Sequence, residues 1–103
     1  MNAYVLTLLA EEDMDEVLDF VAVDDPRAAL GLLHRLEDAF ELLATHPGAG
    51  HRRSDLSRDK RLRFWPVGSY LVIYLQGSAP LRIVRILRGD RDVYALLRGL
   101  RSQ

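Results

Sequence analysis

Apolar residues recur along this chain with two periods, and the change of period divides it in two. From Leu8 to about Val23, Ala10, Met14, Val17 and Val21 follow helical spacing with Leu18 beside them. Glu11, Glu12, Asp15, Glu16 and Asp19 cover the other side, acids near the N-terminal end where the helix dipole favours them. A second stripe runs to about Thr45: Ala29, Leu32, Leu33, Leu36, Phe40, Leu43 and Ala44. Thr7 is placed to cap the first helix, and Asp25 to cap the second, with Pro26 in its first turn. So short a break predicts an antiparallel helical hairpin.

Period two then takes over. Tyr4-Val5-Leu6 reads as a short strand before the hairpin. After it, His46 to Lys60 is a loop broken by Pro47, Gly48 and Gly50, in which Arg52, Arg53, Asp55, Arg58 and Asp59 suit local ion pairs as readily as a ligand. Three strands follow: Arg61 to about Val67, Tyr70 to Gln76, and Leu81 to Arg88, separated by Gly68-Ser69 and by Gly77-Ser78-Ala79-Pro80. They predict an antiparallel meander. Asp92 to Arg101 closes as a short helix with Val93, Leu96, Leu97 and Leu100 on its apolar side. The expected fold is α+β, a helical hairpin packed on a small antiparallel sheet in the order β-α-α-β-β-β-α. The aliphatic set Leu71, Ile73 and Leu75 is assigned to the helices. Tyr70, Val72 and Tyr74 then share an open face with Trp65, Arg61 and Arg63.

A length of 103 residues predicts one domain, 1–103, able to bury a real core, and a hydrophobic fraction of 49% excludes a disordered chain. The absence of cysteine removes disulfides and thiolate metal sites and fits a reducing cytoplasm. No signal peptide is read at the N-terminus, and the strongly apolar run from Tyr70 to Leu75 is too short to cross a bilayer. His34, His46 and His51 have no metal-ligand spacing, so neither metal nor cofactor is expected.

Charge changes the picture more than composition does. The net charge is −1, but residues 1–50 hold 2 basic and 11 acidic side chains, whereas residues 51–103 hold 12 basic and 4 acidic. All but one of the basic groups are arginine, which pairs with carboxylate or phosphate in bidentate fashion. The asymmetry predicts an acidic helical face and a basic face with a separate task. It is sharpest in Leu81–Asp92, LRIVRILRGDRD, where Arg82, Arg85, Arg88 and Arg91 recur among Ile83, Val84, Ile86 and Leu87. A strand this apolar sits inside a sheet, and its guanidinium groups need partners: RNA, a protein, or local carboxylates.

Landmarks spread along the chain resemble a family, the ParE/RelE toxins of bacterial toxin–antitoxin modules, most closely the ParE branch. They are Thr7 with Ala10 and Asp13-Met14, Asp25-Pro26 with Ala28-Ala29, Pro47-x-x-Gly50, and Arg53-x-Asp55-Leu56. Further on come Arg63, Pro66-Val67-Gly68, Tyr70-Leu71-Val72-Ile73-Tyr74, Ile83-x-Arg85-Ile86-Leu87, Gly89 and Arg91-Asp92. The resemblance implies the fold read above and a cytoplasmic toxin neutralised by a cognate antitoxin, ParD-like, with an acidic amphipathic tail. DNA is then met only through the antitoxin, as in plasmid-stabilisation modules.

The two branches imply different chemistry. RelE-like members are ribosome-dependent mRNA endonucleases, for which Arg61, Arg63, Arg85, Arg91 and Tyr94 are the catalytic candidates. A base would aid the 2′-hydroxyl, and cations would stabilise the phosphorane-like charge. But RelE-like chains place the tyrosine further past the glycine turn, and Asp90 and Asp92 put negative charge where phosphate should sit. ParE-like members bind and inhibit DNA gyrase without a hydrolytic site, and Arg91-Asp92 after Gly89 is the ParE-like pattern. Arg88 stands where ParE-like chains often carry a histidine. The resemblance thus implies target contact by Arg88, Arg91, Asp92 and Arg63, and an antitoxin groove of Trp65, Tyr70, Tyr74, Arg61 and Arg63. Each has a structural alternative: Arg91-Asp92 as an ion pair or helix cap, Arg85 paired with a carboxylate, and the aromatics and Tyr94 as packing residues. An inactive chain that only binds its antitoxin is the third possibility.

Overall fold

The expected elements form where the two periods place them. The computed structural model describes residues 3–98. In it β1 (Tyr4–Leu6) leads into α1 (Leu8–Asp24) and α2 (Pro26–Thr45); β2 (Leu62–Val67), β3 (Tyr70–Leu75) and β4 (Leu81–Arg88) follow, then α3 (Val93–Arg98). The expected continuation of the last helix to Leu100 and Arg101 lies outside the described residues.

Both predicted caps close as the chemistry requires. The Thr7 hydroxyl oxygen accepts from Ala10 N at 3.2 Å. Asp25 Oδ1 accepts from Arg27 N at 3.0 Å and from Ala28 N at 3.2 Å, so one residue ends α1 and starts α2. Gly68, at φ 58°, supplies the left-handed residue of the two-residue turn between β2 and β3.

The strand order is β1-β4-β3-β2. The meander is antiparallel as expected, but β1 joins β4 in parallel, Tyr4 opposite Leu81, so the sheet is mixed. β4 carries one residue more than β3 at its middle: Arg85 faces Ile73, Ile83 faces Tyr74, and Val84 is extra. This bulge changes the side-chain period. Ile83 and Ile86 face the hairpin core, whereas Val84 and Leu87 face the opposite side.

The face assignment made from alternation is reversed. Val72 and Tyr74 are buried against the hairpin with Leu36, Phe40 and Leu43, and Trp65 and Tyr70 pack against the same cluster. Ile73 lies on the other side with Phe64, Val84, Val93 and Leu97, and Leu71 and Leu75 pack there as well. That second face is covered by α3 and by Leu56 of the loop. A shift of one residue turns every side chain of a strand to the other face, and the alternating pattern alone carries no sign.

A hydrogen-bonding requirement explains why the tyrosine face turned inward. Tyr74 is fully buried. Its hydroxyl donates to Pro47 O and accepts from Gly50 N at 2.9 Å. Gly50 O in turn accepts from Arg63 Nη1 at 2.7 Å, and Arg63 Nε donates to Gln76 Oε1 at 2.6 Å. The loop after α2 is thereby pinned to the sheet by the Tyr74 phenol and the Arg63 guanidinium. Gly50 is required by space: a Cβ there would lie 2.6 Å from the Tyr74 hydroxyl oxygen. On the outer edge, His51 and Phe64 exchange backbone hydrogen bonds, and Pro66 offers no donor, so the exposed edge of β2 is blunted.

Two outcomes follow for urea unfolding. Tyr74→Phe leaves Gly50 N–H without its acceptor and costs about 1–3 kcal/mol. Gly50→Ala overpacks the same spot at about 1–3 kcal/mol, and the pair together costs less than the sum. The alkaline limb is a second readout. Burial pushes the Tyr74 phenol above its ordinary 10.0, against the opposing effects of the Gly50 hydrogen bond and the Arg63 charge. The folded chain keeps a proton that the unfolded chain releases near pH 10, so this contribution is intact below that pH and is lost as pH rises toward the folded value. Tyr74→Phe should flatten that part of the pH profile; an unchanged alkaline slope would contradict the assignment.

Candidate functional site

β1 is three residues long and β4 is eight, so β4 runs on past its parallel partner. The start of α1 takes over along that edge. Thr7 N donates to Ile83 O at 2.9 Å, and the Thr7 hydroxyl donates to Val84 O at 3.0 Å. Nearly two turns later the Asp13 carboxylate accepts from Ile86 N at 3.0 Å, doing for β4 what a longer β1 would have done. The same carboxylate holds Arg85 through both oxygens, Nε at 2.7 Å and Nη2 at 2.9 Å. Their side chains are only 10% and 13% exposed, so the pair is partly desolvated and fully hydrogen-bonded. Hydrogen bonding to Asp13 raises the Arg85 guanidinium above its ordinary value against the opposing effect of burial, and the charges of Asp13, Glu12 and Glu16 act in the same direction as the bond.

Beyond this tie, α1 and the end of β4 diverge and leave an open cleft of about 440 Å³. Its floor is apolar: Val17, Tyr70, Ile86 and Leu87, with Phe20 at the side. Phe20 is 63% exposed, and Val23, one turn on, is 84% exposed. The rim carries Glu16, Arg88, Asp90 and Arg91. Arg88 pairs with Asp90 at 2.8 Å in the open, an interaction worth little in water. Arg91 is exposed and has no ion-pair partner among the described residues. Asp92 Oδ1 accepts from Ala95 N at 3.1 Å and so caps α3.

The candidate residues are thus sorted by the fold. Arg88 and Arg91 share the cleft, and Asp92 adjoins it as a cap. Arg63 is not there: it is committed to Gly50 and Gln76. The proposed groove of Trp65, Tyr70, Tyr74, Arg61 and Arg63 does not exist as an open surface. Tyr74 is fully buried, Trp65 packs half-buried against the hairpin core, Tyr70 contributes to the floor of the cleft instead, and the exposed Arg61 is tied to Asp59 at 3.0 Å. The nuclease set is also dispersed. Arg85 is bound by Asp13, Arg61 lines a depression with Thr7, Leu9 and Arg82, and Tyr94 lines another with Leu56 and Arg58, its ring under the Arg98 guanidinium at 5.8 Å. No single point is approached by these groups together. Among the described residues no cluster of His, Asp and Glu is able to hold a metal ion. No described helix is long and apolar enough to cross a membrane.

Sequence reasoning missed the cleft. Phe20 stands outside the apolar stripe because it lies off the hairpin-facing side, and Asp13 stands in the sequence only as a landmark of the family resemblance. The available signal was the three-residue recurrence of arginine in LRIVRILR, which is foreign to a regular strand and marks the bulge.

A family model described as the ParE toxin of the type II toxin–antitoxin system parDE matches residues 4–93. No curated protein matches the chain in sequence. Among solved structures, one of the chromosomal ParDE TA system from P. aeruginosa superposes with a TM-score of 0.65 at 21% identity, covering 82% of this chain and 92% of that one. At that identity the likeness is one of fold.

The Asp13–Arg85 tie yields a direct test. Asp13→Ala strands a buried guanidinium and the Ile86 N–H, and should lower unfolding stability by about 3–5 kcal/mol. Adding Arg85→Met, which removes the stranded charge, should recover part of the loss in the same titration. A cost under about 1 kcal/mol for Asp13→Ala would mean that α1 is held by its apolar stripe alone.

Proposed function

This chain belongs to the ParE toxin family of type II toxin–antitoxin systems, and we propose that it acts by binding and inhibiting DNA gyrase and is held inactive by a cognate antitoxin. The observation that carries the reading is the character of the cleft between α1 and the end of β4. It combines an apolar floor, an exposed aromatic and an arginine without an ion pair among the described residues, which is the composition of a protein-recognition centre. Arg91 is the anchor, and Arg88 becomes available on releasing the solvent-exposed Asp90. Arg85 is scaffold.

The dispersal of Arg61, Arg63, Arg85 and Tyr94 speaks against ribonuclease chemistry. Cleavage of a phosphodiester by this route needs a base and several cations converging on one phosphate, and here the cations are each engaged by separate local partners. The antitoxin reading is supported by the family and by Phe20 and Val23, two large apolar side chains one turn apart on α1 that a partner would cover. A cytoplasmic site of action follows from the proposed target.

Supercoiling by gyrase, titrated with the purified chain, tests the proposal, with mRNA cleavage on translating ribosomes assayed in parallel. Inhibition with intact mRNA is the expected result. Arg91→Ala should weaken inhibition by at least about tenfold with an unchanged melting temperature, since the side chain is exposed and has no ion pair among the described residues. Cleavage of mRNA within codons would overturn the proposal, and so would wild-type inhibition by Arg91→Ala and Phe20→Ala alike.

A further inference from the structure

The basic half of the sequence leaves a group of cations that the proposed function does not use. On the side of the sheet away from the hairpin, Arg52, Arg53, Arg58 and Lys60 surround an open depression of about 390 Å³ together with Ser54, Ser57 and Asp59. Arg58 also borders a second, smaller depression with Tyr94 and Arg98, so the two join into one surface. Residues 51–61 hold five cations and two carboxylates. Both carboxylates are already engaged, Asp55 by Arg53 at 2.8 Å and Asp59 by Arg61 at 3.0 Å. Arg52, Arg58 and Lys60 are exposed and have no ion-pair partner among the described residues. Among the described residues no ion pair neutralises their positive charge, on the side opposite an acidic helical hairpin.

The chemistry of the surroundings selects the partner. A protein partner is recognised around a desolvated apolar centre. None is offered here: the first depression is lined by charged groups and serines around one aliphatic side chain, Leu62, 6% exposed, and in the second Leu97 is 2% exposed and Leu56 is half-buried against the core. Phosphate, by contrast, needs only charge and donors, and guanidinium pairs with it in bidentate fashion. Single strands bind by stacking bases on open aromatic rings. The aromatic beside this surface, Tyr94, is half-buried and already covered by Arg98. We propose that Arg52, Arg58, Lys60 and Arg98 form a sequence-independent binding site for the phosphate backbone of duplex nucleic acid. The toxin then meets nucleic acid directly, not only through its antitoxin.

Fluorescence anisotropy of the full chain with a labelled duplex of random sequence tests this, without gyrase or antitoxin present, so that its result is separate from the inhibition assay above. Affinity should fall between about 50 and 200 mM salt, with a log–log slope of about −3 to −4 for four contacts. The variant carrying Arg52→Ser, Arg58→Ser and Lys60→Ser should lose about three units of that slope and at least about tenfold in affinity. Its melting temperature should be unchanged, because the three side chains are exposed. Arg27→Ser, on the hairpin, is the control and should bind as the wild type does. DNA and RNA duplexes binding alike supports recognition of the shared phosphodiester chemistry; preference for one supports the site and narrows it to that backbone. Wild-type binding by the triple variant, tighter binding of a single strand, or no duplex binding at the lowest salt would each overturn the proposal. Tighter binding of polyglutamate than of duplex would overturn it in favour of an acidic peptide partner.

Discussion

One carboxylate decides how the two halves of this protein meet. Asp13 accepts from the backbone of β4 at Ile86 and from the side chain of Arg85, and thereby joins α1 to the middle of the sheet. β1 is too short to pair with the second half of β4, and without Asp13 the Ile86 donor would lack its partner. The bulge at Val84 and the tie depend on each other. The extra residue frees Arg85 from the ordinary alternation, and Asp13 gives the freed guanidinium a partner. A buried ion pair adds little stability compared with apolar packing of the same volume, but losing one partner is costly. Its effect here is on register: it sets where α1 lies along β4, and hence where the two separate to open the cleft.

A second tie governs the other end of the molecule. Tyr74 holds Pro47 and Gly50, and Arg63 holds Gly50 from the neighbouring strand. Many of the polar and glycine landmarks of the family resemblance prove to be joints of this kind. Thr7 and Asp25 cap helices, Arg53 pairs with Asp55, Arg85 pairs with Asp13, and Pro47 and Gly50 receive Tyr74. Short motifs of polar residues and glycines thus mark where the chain is fastened to itself. Groups available to a partner are those the joints leave over, Arg91 and Phe20 on one side of the sheet, Arg52, Arg58 and Lys60 on the other.

Opposite charge in the two halves acquires meaning only from this division. The acids lie mostly on the hairpin, and few of them reach the arginines of the strands; Asp13 is the exception. The cleft mixes both signs over an apolar floor, whereas the loop surface is cationic and polar. These are different chemistries on different faces, suited to a folded protein and to a phosphate backbone respectively.

The sequence by itself determined the elements, their order and their caps, because those follow from periodicity and from the short-range chemistry of Thr7, Asp25, Pro26 and Gly68. It also pointed to a carboxylate for Arg85, since a guanidinium on so apolar a strand cannot be left unpaired. It did not determine which face of β3 is inside. Leu71, Ile73 and Leu75 alternate as regularly as Tyr70, Val72 and Tyr74, and alternation is the same seen from either side. That choice was made in three dimensions, by a phenol that needed partners from a loop far away in sequence and by α3, which covered the face expected to be open. The cleft too belongs to the tertiary structure alone. It exists because a three-residue strand stops short of an eight-residue one, and neither length has that consequence until the two lie side by side.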